Sequence, residues 1–510
     1  RLHDHAPLHH AAAQEAPVLP LYIIEPSLIQ AADFAPSHWT FIKSCLEELR
    51  QNLARLGQPL VVRVGEAVPT LTALSRQLPI AQIWAHEETG NWLTYQRDIA
   101  VRQWAAASGI PFTELPNNGV VRRLENRDVW EAIRHERMQE AQIPAPAVLQ
   151  PTQITMGRIP DHMQLRLGRD KRHTQAGGEA QALACLDSFL QQRGANYIAE
   201  MSSPITGVDS CSRLSPHLAY GTLSVKTAVQ ATQQRLRELR QMKAEEREAL
   251  GGRWQSSLKA FESRLAWRDH FIQKLETEPE IEFESFVRSF EGLRPDGSAG
   301  KAAELLEAWQ SGQTGYPMVD ACMRYVNATG WLNFRMRAML VSFAAHDLWL
   351  HWRLPALHLA KAFLDYEPGI HYSQMQMQAH TTGNNTLRIY DPVKQGLEHD
   401  PEGVFVREWV PELAGYPAAY IHAPWGLPRD MQEKYGCVIG DDYPQPIVKH
   451  ETAVRHAKER LAQVLRQPET EDEIARVHEK HGRRQQQRPK KKAAKKPPEQ
   501  NPNQLSLFEF

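Results

Sequence analysis

Residues 211–221 read Cys-Ser-Arg-Leu-Ser-Pro-His-Leu-Ala-Tyr-Gly, and this stretch decides how the rest of the chain is read. Two hydroxyls, Ser212 and Ser215, stand around a helix start, where backbone N–H groups lack partners. Such a turn suits an anionic phosphate. Taken alone, it reads first as an ordinary N-cap. The turn also stands at a boundary. Before it the chain alternates strands with helices, and after it the pattern is helical.

On the N-terminal side, Val18–Ile24 (VLPLYII) is expected to be a buried strand and His38–Leu56 a helix, with Phe41, Cys45, Leu49 and Leu53 spaced four apart. Leu60–Val64 is a strand, followed by a helix near Leu71–Leu78. Ile80–Ala85 is a strand, Trp92–Ala107 a helix and Pro111–Leu115 a last strand. This alternation predicts a parallel, doubly wound α/β domain over residues 1–125. The opening RLHDHAPL is loop-like, so the domain's first strand is expected to be missing. Residues 126–195 hold Pro144, Pro146 and Pro151 and few periodic runs, and read as a connector.

Residues 196–465 read as a large all-helical domain. Val319, Met323 and Val326, then Met336, Leu340 and Phe343, recur at i, i+4, i+7. Val225–Leu250 reads as one charged amphipathic helix facing solvent. Residues 466–510 turn acidic, then Gln-rich, then Lys/Pro-rich, which predicts a disordered tail.

Composition narrows the possible functions. Nothing approaches the roughly 18 consecutive apolar residues of a membrane helix, and no secretory signal is visible at the polar start, so a cytoplasmic location is expected. Cys45, Cys185, Cys211, Cys322 and Cys437 are scattered without a C-x-x-C pair, which argues against a zinc or iron–sulfur site and fits a reducing compartment. Residues 483–496 carry eight Lys and Arg and no acid. Taking those eight charges from the formal net charge of −1 leaves −9 on the rest. Any DNA affinity must therefore come from a local groove and this tail.

Asp365-Tyr366-Glu367 puts two carboxylates two residues apart in a loop, and Arg335 and Arg337 lie on a preceding apolar helix. A buried carboxylate needs a partner, and arginine offers bidentate geometry. By itself this reads first as a structural salt bridge.

Together these segments resemble a known family. SRLSPHLAYGTLS (Ser212–Ser224), AWRDHF (Ala266–Phe271), TGYPMVDACMRYVNATGW (Thr314–Trp331), RIYDPVKQGLEHDPEG (Arg388–Gly403) and PELAGYPAAYIHAPW (Pro411–Trp425) are similar, in order and spacing, to motifs of the DNA photolyase/cryptochrome family. HEETGNWLTYQRD (His86–Asp98) and GVVRRLENRDVW (Gly119–Trp130) fit the same family. The resemblance implies an α/β antenna-type domain and a helical domain holding FAD in a folded form. It places Tyr197, Ser212, Leu214 (through its backbone), Ser215 and Arg268 at the FAD phosphates, with Cys211 and Arg213 in the same turn. Asp365 and Glu367, flanking Tyr366, would contact the ribityl chain and flavin ring, with Arg337 paired to Asp365. His371 aligns with the residue facing flavin N5, where its charge would vary near neutral pH.

The chain departs from the family at the lesion site. Arg264 replaces a glutamate three residues before Trp267, Phe334 replaces an asparagine, and Met377 replaces a stacking tryptophan. Asn333-Phe334 occupies the place of the two-histidine pair of the (6–4) photolyases. Trp309 and Trp352 match the outer and middle members of the family's tryptophan electron relay, but the flavin-proximal member is Met375, which is much harder to oxidise. Tyr372, Trp349 or an external reductant would then have to serve as donor.

The resemblance implies a bacterial, light-driven, deoxyribodipyrimidine photolyase-like lyase, monomeric and acting on damaged DNA. The alternatives are a photosensor that keeps the flavin without repair, and a clamp- or DNA-binding adaptor with structural FAD. A second antenna pigment would be a folate, a deazaflavin or none. At the far end, Gln504-Leu505-Ser506-Leu507-Phe508 resembles the short motif by which bacterial repair proteins bind the DNA sliding clamp; apolar anchors on a tether fill a groove.

Overall fold

The computed structural model describes residues 1–383 and 385–482. Strands β1 (Leu21–Ile24), β2 (Val61–Val64), β3 (Ile83–His86) and β4 (Phe112–Leu115) fall on the expected apolar runs. RLHDHAPL is not simply a loop: it leads into α1 (Ala6–Ala12), capped by the His5 ring, which accepts the Leu8 N–H at 3.1 Å. Helix α2 (Pro36–Arg55) and helix α3 (Trp92–Ala107) follow the sequence reading, and Asn91 caps α3 by accepting the Thr94 N–H.

The expected doubly wound sheet is present as two parallel pairs, β1 with β2 and β3 with β4, rather than as one continuous sheet. Helix α1 lies against β3, with the His10 ring stacked on Trp84 at 5.3 Å and the His5 ring 4.5 Å from His86. Trp39, Leu46 and Leu53 of α2 close over Ile24 and Val62 to form the domain's core. The segment read as a connector carries two α-helices, Trp130–Gln139 and Glu179–Gln191, with no helix or strand between them, and short 3-10 turns at its ends, Arg127–Val129 and Arg193–Asn196.

The expected single helix Val225–Leu250 is broken. Helix α4 (Val225–Gln241) ends where Met242 and Lys243 turn extended, and a short helix restarts at Ala244–Leu250. Nor does α4 merely face solvent. Val225, Ala228, Val229, Leu236 and Leu239 form a buried stripe against Leu258, Phe261 and Leu265 of α5 (Trp254–Thr277). The stripe has helical spacing, but Gln and Arg crowd around it in the sequence.

The largest core joins Met336, Met339 and Leu340 of α6 (Phe334–Ser342) to Tyr372 and Met375 of α7 (Pro368–Gln378), with Trp309, Phe343 and Trp352 fully buried behind them. Helix α7 crosses α5 closely at Gly369, where a Cβ would stand 2.5 Å from the Ile272 Cα. Only glycine allows that approach, and it sets the 365–367 loop beside Arg268.

Beyond α8 (His450–Leu465), the reading of an unstructured tail from 466 fails for its first part. Residues Pro468–His481 form helix α9. Val477 packs with Leu461 and Val464 of α8 against Phe286 and Phe290, and the Ser289 N–H and hydroxyl both donate to Glu473 Oε2, at 2.9 and 3.0 Å. The basic run 483–496 and Gln504, Leu505, Ser506, Leu507 and Phe508 lie outside the described residues. Among the described residues, no helix is long and apolar enough to cross a membrane.

Candidate functional site

Three helices each turn one stripe toward a common cavity. Arg264, Trp267, Arg268 and Phe271 come from α5; Phe334, Arg337, Ala338 and Val341 come from α6; Ile370, His371, Gln374 and Gln378 come from α7. In each helix the spacing is three or four residues, the period of one helical face. Tyr197, Met201 and Cys211 close one side, and the loop residues Asp365, Tyr366 and Glu367 close another.

Charge is arranged in pairs around this cavity. Arg337 donates from Nη1 to Asp365 Oδ1 at 3.0 Å and from Nη2 to Oδ2 at 2.9 Å, while its guanidinium lies 4.0 Å from the centre of the Phe363 ring. Burial pushes the Asp365 carboxyl up, but Arg337 and a hydrogen bond from Ser215 outweigh it and hold the group below the usual range. Arg268 donates from Nη2 to Glu367 Oε2 at 2.8 Å and to the Leu218 carbonyl at 3.1 Å. Here burial prevails: helped by Glu88 and Asp269, it lifts Glu367 to about 7 against the pull of Arg268. The Arg264 guanidinium stacks 4.1 Å from the Trp267 ring centre and 5.6 Å from that of Phe334, and its Nη1 is buried without a hydrogen-bond partner. Phe334 is 41% exposed, so this stack stands at the cavity mouth.

His371 differs from its expected behaviour. Its Nε2–H donates to the Ala356 carbonyl at 2.8 Å, which leaves Nδ1 as the acceptor. Burial lowers the ring to about 4, so it is neutral at physiological pH and its charge does not vary there.

Not every expected residue reaches the cavity wall. Of the 211–215 turn only Cys211 does. Ser215 acts from behind through Asp365, Leu214 is buried in the core, and Ser212 takes up the Leu214 N–H. Arg213 adopts a left-handed φ of +60° and lays its guanidinium 4.2 Å from the Trp331 ring centre. Met377 and the two relay tryptophans also lie off the wall. Trp309 is fully buried edge-on to His358, and Trp352 donates its indole N–H to Ser285 Oγ at 3.2 Å. Met375 does line the cavity.

Sequence reasoning missed Gln374, whose Nε2 and Oε1 are both buried without partners. Its place four residues after Ile370 on one helical face could have revealed it. It also missed Asp33, which accepts the Tyr366 hydroxyl at 2.7 Å across 333 positions of sequence; no local pattern encodes that contact. Asp33 lines a second cavity, which runs from the C-terminal ends of β1 and β3 to Tyr220, Arg268 and Glu367.

Residues 1–128 match the family model described as DNA photolyase, and residues 261–463 match the FAD binding domain of DNA photolyase. The chain is 30% identical to the protein named Cryptochrome DASH of Gloeobacter violaceus, over 88% of this chain and 91% of that one. It is also 30% identical to a deoxyribodipyrimidine photo-lyase of Streptomyces griseus, over 88% and 94%. In fold it is similar to the crystal structure of a bacterial class III photolyase from Agrobacterium tumefaciens, with a TM-score of 0.78 at 24% identity, covering 92% of this chain and 96% of that one. An archaeal photolyase from Sulfolobus tokodaii, solved with two FAD molecules, gives 0.72 at 24% identity, over 91% and 97%. Matched by both family models and by these relatives along most of its length, the chain belongs to the photolyase/cryptochrome family.

Proposed function

We propose that the three-helix cavity holds FAD and that the protein repairs pyrimidine photolesions in DNA under blue light. The observation that carries the reading is the charge and shape of the wall. Four guanidinium groups, Arg264, Arg268, Arg335 and Arg337, face two carboxylates, Asp365 and Glu367, leaving an excess of positive charge for a pyrophosphate. Phe271, Val341, Phe363, Ile370 and Met375 supply apolar surface for flat rings. The unpartnered amide of Gln374 and Nη1 of Arg264 are buried polar groups that a ligand would satisfy.

In this reading Arg268 holds the phosphate side, with Tyr197 beside it, and Ser212, Leu214 and Ser215 support it from the turn. Asp365, oriented by Arg337, and Glu367 take the sugar-alcohol chain and ring edge. His371, whose Nε2–H is committed to the Ala356 carbonyl, would offer the ring an unprotonated Nδ1. Reduced FAD, when bound and excited, supplies one electron to the lesion. The protein's own part is to orient it, exclude water through the apolar wall, and offer the lesion the Arg264–Trp267–Phe334 stack at the mouth. The terminal Gln504–Phe508 segment would tether the enzyme to a sliding clamp, raising its effective concentration near DNA.

The test is light-dependent loss of pyrimidine dimers from a damaged oligonucleotide, with reduced flavin confirmed by absorption. Loss equal to a dark control defeats repair of that lesion. A photoreceptor without repair is the second reading, favoured by Arg264 in place of an acid and by Met377 standing off the cavity wall. Light-induced change in flavin absorption that DNA does not alter, together with absent repair, would establish it.

A further inference from the structure

Tyr366 stands in the wall between the two cavities: it lines the proposed flavin cavity and also the second cavity, where Asp33 sits. Its hydroxyl is 2.7 Å from Asp33 Oδ2 and 3.2 Å from the Tyr372 hydroxyl. A phenol carries one hydrogen; with that of Tyr366 donated to Asp33 Oδ2, the shorter contact, the Tyr372 hydroxyl is left to donate to Tyr366. The three groups thus form a directed chain, Tyr372 to Tyr366 to Asp33. The Tyr372 ring in turn meets Trp352 edge-on, with centroids 6.2 Å apart. Asp33 is 8% exposed and Tyr372 is 1% exposed, so both ends of the chain are buried, while Tyr366 between them is partly exposed to the two cavities. Met375, by contrast, offers the cavity only a thioether.

From this arrangement we propose that Tyr366 is the residue that gives up an electron when the bound flavin is photoreduced, with Asp33 taking its proton and Tyr372 replenishing it. The inference rests on the FAD reading above. The one-electron oxidant is the photoexcited, oxidised isoalloxazine. As the electron leaves Tyr366, its O–H bond breaks and an O–H bond forms on Asp33, so no buried phenol cation has to exist. An electron and a proton then pass together from Tyr372 across the 3.2 Å hydroxyl contact, restoring Tyr366 and leaving the oxidised site on Tyr372. An external thiolate then returns one electron to Tyr372, becoming a thiyl radical, and the proton held on Asp33 returns along the two hydroxyls, so that every group is restored. The two domains are thereby coupled: the acceptor lies in the α/β domain and the donors in the helical one.

The experiment uses the full chain loaded with FAD, its flavin content measured by absorption after denaturation. Electron paramagnetic resonance records the protein radical trapped under blue light, in protein carrying ring-deuterated tyrosine or ring-deuterated tryptophan. The expected result is a signal narrowed by the tyrosine label and untouched by the tryptophan label. Asp33→Asn, which alters a residue off the flavin cavity wall, should slow photoreduction by about a hundredfold, the low end of what a positioned proton acceptor contributes, and should remove its solvent deuterium effect. Tyr366→Phe should abolish the tyrosine-labelled signal. Narrowing by labelled tryptophan, or wild-type photoreduction rates in flavin-loaded Asp33→Asn, would overturn the proposal while leaving the FAD reading intact. Protein that takes up no flavin overturns that reading first, and this proposal with it.

Discussion

Arg337 grips Asp365 by two parallel hydrogen bonds, 3.0 and 2.9 Å long, and a third group, the Leu332 carbonyl, fixes the guanidinium by accepting from Nε at 2.6 Å. The pair is asymmetric in exposure, with the aspartate side chain 4% accessible and the arginine 23%. Removing one partner of a buried pair typically costs about 3–5 kcal/mol, because the other charge is left uncompensated. Asp365→Ala should therefore lower stability by about 3 kcal/mol and lose flavin. Asp365→Ala with Arg337→Met should recover most of the stability and none of the flavin. Urea unfolding and flavin content separate the two effects; a double variant that binds flavin normally would remove Asp365 from the site.

The crossing of α7 over α5 depends on a missing side chain. At Gly369 an added Cβ would sit 2.5 Å from the Cα of Ile272, a backbone atom that no repacking can move aside. Gly369→Ala should cost about 2 kcal/mol or more, within the range for overpacking, and should lower flavin affinity by shifting Glu367 away from Arg268. Trimming the neighbour, Ile272→Ala, should not rescue it, since the clash is with main chain. Rescue by that second change would show the contact to be a side-chain one.

Arg264 is braced between Trp267 and Phe334 at the cavity mouth rather than out on the surface. If the protein repairs DNA as proposed, a guanidinium held there would meet an extruded base and not undamaged duplex. Arg264→Gln should weaken binding of a dimer-containing oligonucleotide by about 1–3 kcal/mol, as for loss of a specific arginine contact to a base, and leave undamaged DNA binding unchanged. Fluorescence anisotropy on both substrates checks this. An equal loss on the two would make Arg264 a general phosphate contact instead.

The sequence and the fold agree where local physics decides, and part company where distance does. Helix Pro36–Arg55 is legible because Phe41, Cys45, Leu49 and Leu53 recur four apart, and Phe41 and Leu53 are buried in it. Part of the cavity is legible because Arg268 lies in the AWRDHF motif and because Asp365 and Glu367 stand two residues apart after a helix that carries Arg337. Helix α9 was not: its buried set is only Thr470, Val477 and His481 among many charges, and its docking depends on partners such as Ser289, about 180 positions away. The protonation state of His371 was not legible either, because it follows from burial and from the Ala356 carbonyl rather than from residue type.

That same burial predicts how stability responds to pH. His38, His217, His358, His371 and His380 are lowered to about 4, and His86 to about 3, in every case chiefly by burial. Each binds its proton more readily when unfolded, so each contributes stability that is present above about 6.5 and lost as pH falls toward 4. Burial acts oppositely on Glu276, Glu282 and Glu367, raised to about 7; these favour the folded state in acid and weaken it as pH climbs from about 4.5 to 7. The histidines outnumber these glutamates, so the flavin-free protein should be less stable at pH 5 than at pH 6.5, and should change little from there to pH 8, where the last of the histidine gain offsets the last of the glutamate loss. Glu367→Gln should steepen the rise from pH 5 to pH 6.5, because the native carboxyl weakens the fold across that window. Urea midpoints at the three pH values measure this directly, and a protein more stable at pH 5 than at pH 6.5 would mean that these histidines are not buried neutral in the fold.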